Sequence, residues 1–262
     1  MTVLPPGTIL QLMYLRERLS RLPPGVFVEI GPGSGEITRL LLGMNWTGRS
    51  FDLEEKTVAA LGIRFAPEID AGHYAALNED FLLSSSAEKA DLVISCMVME
   101  HLEDRAQTTY LEKAAAILKP GGILISLVPA SPAHWGIEDD IAGHCRRYTR
   151  ESIQELVKRN RWSLEHLAGL TYPISNFLLP LSNFLVRRGE RQKLELTPLE
   201  RTKQSGRRRV VFKTHFPPFL GLFLNRFTLY PLHRLQKLMS GSTSALVLFF
   251  EAKPQSPSVS HE

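Results

Sequence analysis

The chain has 262 residues, 44% apolar and 22% charged, enough to bury the core of one globular domain with an insertion, or of one domain plus a small lobe. No run reaches the roughly 18 uninterrupted apolar residues of a membrane-spanning helix, and no basic segment followed by an apolar one opens the chain, so a soluble cytoplasmic protein is expected. The formal charge of +4 is unevenly spread, with ten Lys and Arg against three Glu between Arg187 and Lys213, and Cys96 and Cys145 form no C-x-x-C pair, which leaves them as buried thiols rather than a disulfide or zinc framework.

Residues 8–21 carry apolar side chains at near-helical spacing and are stopped by Pro23-Pro24-Gly25. Val26 to Ile30 then reads as a strand, Glu36 to Leu42 as a helix, Arg49 to Leu53 as a second strand and Glu54 to Ala66 as its helix. Tyr74 to Leu77, Ala90 to Met97 and Ile123 to Val128 continue the strands, with a helix from Arg105 to Leu118 closed by Lys119-Pro120-Gly121-Gly122. A helix at Arg150 to Arg159 and strands at Ser163 to Thr171 and Ala245 to Ala252 complete the pattern, and a polar tail from Pro254 is expected to be disordered. Such alternation predicts an α/β fold with a mostly parallel sheet and helices on both faces. The roughly 70 residues between the last two strands exceed an ordinary connection and read as a helical insertion. The expected division is a core over 1–173, an insertion over 174–244, a final core strand over 245–253 and a tail over 254–262.

The loop Gly31-Pro32-Gly33-Ser34-Gly35 lies between a strand and a helix, where glycines let backbone N–H groups approach a ligand. Glu36 occupies the sixth position of G-x-G-x-x-G, which argues against NAD or FAD. The string V-E-I-G-P-G-S-G-E-I-T, with Glu29 at the strand end, instead resembles the first motif of class I S-adenosylmethionine-dependent methyltransferases. That resemblance implies a seven-stranded Rossmann-like methyltransferase sheet and S-adenosyl-L-methionine as cofactor. It implies Glu29, Gly31, Gly33 and Gly35 at the loop, Asp52 on the ribose hydroxyls with Glu54 as its alternative, and Asp80 with Phe81 beside the adenine. V-M-E-H-L-E-D after strand four is similar to the segment lining the methionine side, which adds Met97 and His101, and L-K-P-G-G before strand five is another recurrent element. The motifs run in order through roughly residues 20–130. Structural alternatives stand beside these roles: Glu29 as a strand-end cap and His101 as a helix cap.

A sulfonium methyl is already activated, so transfer mainly needs a nucleophile held on axis, sometimes with a base for its proton. Residues 129–149 offer the groups for this, and the string D-x-x-x-G-H-x-R-R-Y there resembles one in bacterial methyltransferases of the same superfamily, including ones of cell-surface sugar and secondary-metabolite pathways. His144 or His134 is the expected general base, with Asp140 orienting the imidazole. Trp135, Arg146, Arg147 and Tyr148 are the expected acceptor contacts, the arginines as an anion clamp. The competing reading has Asp140 and Arg147 as a structural ion pair, Tyr148 in the core and Thr149 capping the helix at Arg150. No metal is expected, because Asp139, Asp140 and His144 are joined by no further compact ligand motif.

Two apolar, aromatic stretches of the insertion, 172–180 and 216–227, flank the basic one. They predict a cover over the pocket that accepts an apolar or anionic acceptor, or touches a membrane surface, against the alternative that they pack the lobe onto the sheet. Nucleic acid is disfavoured: the basic run has almost no interleaved aromatics, and E-H-L replaces the N/D-P-P-Y/F string of many amino-group nucleic-acid methyltransferases. The expected function is methylation of a small or medium-sized molecule, at oxygen rather than nitrogen or carbon, in secondary-metabolite, cell-surface sugar or lipid biosynthesis. An RNA methyltransferase and a non-catalytic partner keeping the fold are the alternatives.

Overall fold

The computed structural model describes residues 3–85, 88–190, 200 and 216–255. Helix α1 (Pro6–Leu19) leads into β1 (Val26–Ile30), α2 (Glu36–Leu42), β2 (Thr47–Phe51), α3 (Glu55–Arg64), α4 (Ala66–Asp70) and β3 (Tyr74–Leu77). There follow β4 (Ala90–Cys96), a 3-10 turn (Met99–His101), α5 (Asp104–Ile117), β5 (Leu118–Pro129), a second 3-10 turn (Pro132–His134), α6 (Ile137–Ala142), α7 (Arg150–Arg159) and β6 (Trp162–Leu170). Helix α8 (Ile174–Glu190), a 3-10 segment (Pro218–Leu222) and α9 (Tyr230–Leu238) lie between β6 and the last strand, β7 (Val247–Pro254).

The seven strands form one sheet in the order β3-β2-β1-β4-β5-β7-β6, parallel from β3 to β5, with β7 antiparallel to both neighbours. Both faces are apolar because adjacent strand residues point to opposite sides. Val28, Val93, Leu124 and Phe250 face α5 and α7, where Tyr110, Leu111, Ile153 and Leu156 meet them. Their chain neighbours Phe27, Leu92, Ile125 and Phe249 face α1, α2 and α3, through Leu15, Leu19, Leu41 and Leu61. The order reverses at β1 and β4, the switch point where open α/β sheets hold ligands at the strands' carboxyl ends.

The strand limits depart from expectation in three places. β2 begins at Thr47 and ends at Phe51, so Asp52 is the first residue beyond it; its weakly apolar start, Thr47-Gly48-Arg49, hides the strand from a hydrophobicity reading. The L-K-P-G-G segment lies within β5, paired through Ala90↔Leu118 before a register shift leads to Leu92↔Ile123. Pro254, expected in the tail, ends β7 opposite Trp162; residues 256–262 lie outside the described part. Of the basic stretch, Arg187 and Arg188 are exposed near the end of α8, and its remaining lysines and arginines lie outside the described residues. Cys145 is exposed, so the expectation of two buried thiols is corrected at that position. No helix among the described residues is long and apolar enough to cross a membrane.

Helix α1 is fixed to the sheet by charge as well as by apolar packing. Arg18 donates from Nε and Nη2 to the two carboxylate oxygens of Glu251 in β7, at 2.7 and 2.5 Å, and Glu251 is only 5% exposed. On the other side of α1, buried Gln236 of α9 donates to the Leu10 carbonyl and accepts from the Thr171 backbone N–H, tying the insertion's last helix to the core. Removing one member of a buried pair strands the other's charge, whereas replacing both by apolar groups of similar size is nearly neutral. Arg18→Ala is therefore expected to lower unfolding free energy by about 3 kcal/mol, and Arg18→Met with Glu251→Leu to recover most of it. Urea denaturation of the two variants checks this, and equal losses would contradict it.

Candidate active site

The loop after β1 turns through three left-handed glycines, Gly31 (φ 66°), Gly33 (φ 53°) and Gly35 (φ 78°). Space is as restrictive as φ: a Cβ on Gly31 would lie 2.6 Å from Val98 Cγ2, and one on Gly35 would lie 2.6 Å from Leu61 Cδ2. Beneath the loop, Glu29 is 2% exposed and accepts hydrogen bonds from Thr38 Oγ1 of α2 (2.5 Å) and Ser50 Oγ of β2 (2.9 Å). Burial raises its pKa to about 7, against those two hydrogen bonds.

A cavity of about 1490 Å³ opens over this edge of the sheet. Glu29, Gly31, Gly33, Asp52, Asp80 and Phe81 line one part of it, and Met97, His101, His144 and Arg147 another. Asp52 Oδ1 accepts from the Glu54 N–H at 2.8 Å, and burial raises the Asp52 pKa. Asp80 Oδ1 accepts from the Leu82 N–H at 2.8 Å, while Phe81 is buried edge-on against Phe51 and Tyr110. Met97 takes a left-handed backbone (φ 55°) where β4 ends, a conformation costing a non-glycine residue about 1 kcal/mol or more. Cys96 beside it has its thiol pKa pushed up to about 12, chiefly by burial.

The segment after β5 closes a second side, and here the arrangement differs from expectation. Asp139, fully buried, rather than Asp140, holds the imidazole: His144 Nδ1 lies 2.8 Å from Asp139 Oδ1. The same carboxylate accepts from Arg147 Nε (2.9 Å) and the Gly136 N–H (2.8 Å). Burial alone would raise its pKa, but the bonds from His144 and Arg147 outweigh burial and hold it at about 2. The ion pair anticipated between Asp140 and Arg147 is thus made by Asp139, and Asp140 accepts from Trp135 Nε1 at 2.9 Å. Helix α6 accounts for the exchange, since successive residues on a helix point about 100° apart.

Several other residues singled out from sequence are not among those lining the cavity. Gly35, His134, Trp135, Asp140, Arg146 and Tyr148 do not line it. His134 Nδ1 meets Ser131 Oγ at 2.8 Å, and Arg146 pairs with exposed Asp104 at 2.5 Å. Tyr148 is 3% exposed, donates its hydroxyl to the Met99 carbonyl and has its pKa raised by burial, in keeping with the core alternative. Thr149 caps α7, its hydroxyl accepting from the Ser152 N–H.

Sequence reading passed over Glu100. It is fully buried beside the cavity, and among the described residues neither of its carboxylate oxygens meets a hydrogen-bond donor. Burial raises its pKa to about 8. His144 Nε2 lies 3.7 Å from Glu100 Oε1, and the rings of His101 and His144 stand edge to face with centroids 4.8 Å apart. Burial, then His144, lowers the His101 pKa to about 4. The signal was present in E-H-L, but a motif lining a pocket does not disclose that its acid turns inward.

Comparison with known proteins places the chain in a family. Residues 9–167 match the methyltransferase-domain family model, and the chain belongs to that family. A ubiquinone biosynthesis O-methyltransferase of Caulobacter sp. (strain K31) is 28% identical over 99 residues, covering 37% of this chain and 38% of that relative. The match thus spans well under half the length of either protein. Among solved structures, the glycopeptide N-methyltransferase MtfA in complex with S-adenosyl-L-methionine superposes with a TM-score of 0.55 at 12% identity, covering 94% of this chain and 87% of that one. Magnesium protoporphyrin IX methyltransferase from Synechocystis PCC 6803, with bound S-adenosylhomocysteine, gives a TM-score of 0.52 at 17% identity over 63% of this chain and 77% of that one. At these identities the likeness is one of fold.

Glu29 yields a test of the loop's electrostatics. A carboxyl whose folded pKa is raised to about 7 binds more protons folded than unfolded, so its contribution is full below the unfolded value and is lost as pH rises toward 7. The loss amounts to about 3 kcal/mol. The stability of Glu29→Gln minus that of the wild type should grow by that amount between pH 4.5 and 7.5 in urea titrations, and a pH-independent difference would contradict it.

Proposed function

We propose that the chain is an S-adenosyl-L-methionine-dependent O-methyltransferase acting on a medium-sized, largely apolar molecule that carries a hydroxyl. The observation that carries the reading is the cavity: at about 1490 Å³ it exceeds the roughly 300–1,000 Å³ of a typical small-molecule site, so it has room for a cofactor and an acceptor together. Its far wall is apolar, built by Leu178, Leu181 and Leu185 of α8 with Leu220, Phe223 and Leu224. Exposed Phe177, Phe184, Phe219 and Phe227 lie on these same segments, an apolar surface suited to peripheral contact with a membrane.

In this reading the cofactor lies along the glycine loop, the Asp52 carboxylate receives the ribose hydroxyls and Asp80 with Phe81 borders the adenine. The bound cofactor would supply an activated methyl to the acceptor oxygen and leave as the thioether of S-adenosylhomocysteine, and His144 would take the hydroxyl proton. His144 is preferred to His134 because it lines the cavity and Asp139 anchors its Nδ1, which leaves Nε2 as the basic nitrogen. An apolar acceptor is preferred to an anionic one because Arg147 is spent on Asp139 and the Ala130 carbonyl, and Arg146 pairs outside the cavity. The ubiquinone-type relative supports a lipid-like acceptor, and an acceptor of this kind belongs to lipid or isoprenoid-type biosynthesis.

Calorimetry with S-adenosyl-L-methionine should show one site, weakened at least about tenfold in Asp52→Ala, where a charge-assisted pair of hydrogen bonds is lost; folded protein that binds no cofactor would overturn the reading. With hydroxyaryl acceptors bearing alkyl tails of increasing length, kcat/KM should rise with tail length and the rise should vanish in Leu185→Glu. His144→Ala should lower kcat about 100-fold, the range of positioned proton-transfer groups, while cofactor affinity stays within twofold.

A further inference from the structure

The geometry points to a divalent transition-metal site formed by Glu100, His101 and His144, with its open positions facing the acceptor. One ligand atom from each residue lies within 4.8 Å of the others. Donors at 2.0–2.2 Å from a tetrahedral ion stand about 3.4 Å apart; His144 Nε2 and Glu100 Oε1 are already at 3.7 Å. Closing the set around an ion takes side-chain shifts of about an ångström, with no movement of the sheet.

Three further features fit a site built for a cation. Glu100 is wholly buried with both oxygens lacking a hydrogen-bond partner among the described residues, a costly arrangement that a bound cation would satisfy. Asp139 accepts from His144 Nδ1, which fixes the tautomer and leaves Nε2 with its lone pair toward Glu100, the carboxylate–histidine pairing that orients metal-bound imidazoles. The Gly143 carbonyl lies 3.4 Å from His101 Nδ1 and favours the proton on that nitrogen, which orients the ring. Two imidazoles and a carboxylate suit zinc, manganese, cobalt or ferrous iron better than magnesium or calcium.

His101 and His144 line the cavity while Glu100 lies behind them, so the ion's remaining positions would meet the acceptor hydroxyl. An ion held there would lower the pKa of the hydroxyl, whose proton would leave to solvent, and the oxygen would take the methyl from the sulfonium with release of the thioether. His144 would then act through the ion. This deepens the methyltransferase reading and rests on it for the identity of the acceptor.

The test titrates metal-depleted, full-length protein with cobalt(II) alone, following ligand-field absorption in the visible and bound metal by elemental analysis. One equivalent with low-symmetry, intense bands is expected, with affinity reduced at least about tenfold in Glu100→Gln and in His101→Ala. Circular dichroism shows that each variant is folded; should Glu100→Gln not fold, the half-buried His101→Ala decides. Folded wild type that takes up no cobalt overturns the proposal, as does uptake equal in the wild type and His101→Ala. If cobalt fails to bind while His144→Ala still slows turnover, the methyltransferase reading stands and the imidazole takes the proton unaided.

Discussion

The fully buried carboxylate of Asp139 fixes everything that follows β5. It gathers the His144 imidazole, the Arg147 guanidinium and the Gly136 N–H, and so joins the start of α6 to the chain that returns toward α7. A buried charge lacking one of these partners would cost several kcal/mol; with all of them it holds a proton only near pH 2. Since Arg147 also donates to the Ala130 carbonyl at the end of β5, the segment is pinned to the sheet at both ends.

Three acids around one cavity behave differently, and their neighbours explain why. Glu29 has neutral donors, two hydroxyls and the Thr38 backbone, so burial wins and its pKa rises to about 7. Asp139 has a guanidinium and an imidazole, so partners win. Glu100 has neither in hydrogen-bond range and rises to about 8. Desolvation opposed by specific donors is the common cause. Glu29 braces the glycine turn, Asp139 positions His144, and Glu100 is left as the unsatisfied group that a cation would complete.

The fold was legible because a sheet buried on both faces writes itself as short apolar runs separated by glycine and helix-forming segments, and strands β1, β3 and β4 carry that signature. β2 was blurred because its first residues, Thr47-Gly48-Arg49, are small or polar and only half-buried. The glycine loop was readable because its left-handed turn demands that residue type, whereas Asp52, Asp80 and His101 were singled out by resemblance to methyltransferase motifs, and all three line the cavity. The choice between Asp139 and Asp140 was not readable, since it depends on where a six-residue helix begins. Glu100 was hidden for a related reason, because which way a side chain turns is a property of packing between segments far apart in sequence; the apolar stretches expected to cover the pocket do supply Leu178, Leu220, Phe223 and Leu224 to its lining.

The central claim is that the glycine turn and Asp52 hold the methyl donor with its sulfur facing the chamber formed by His144 and α8. A crystal structure of the protein with S-adenosylhomocysteine tests it most directly. The account predicts adenosine between Asp52 and Phe81 and a sulfur opening onto His144 and the leucines of α8. Density for the ligand outside this cavity, or a sulfur turned away from His144 toward the sheet, would contradict it.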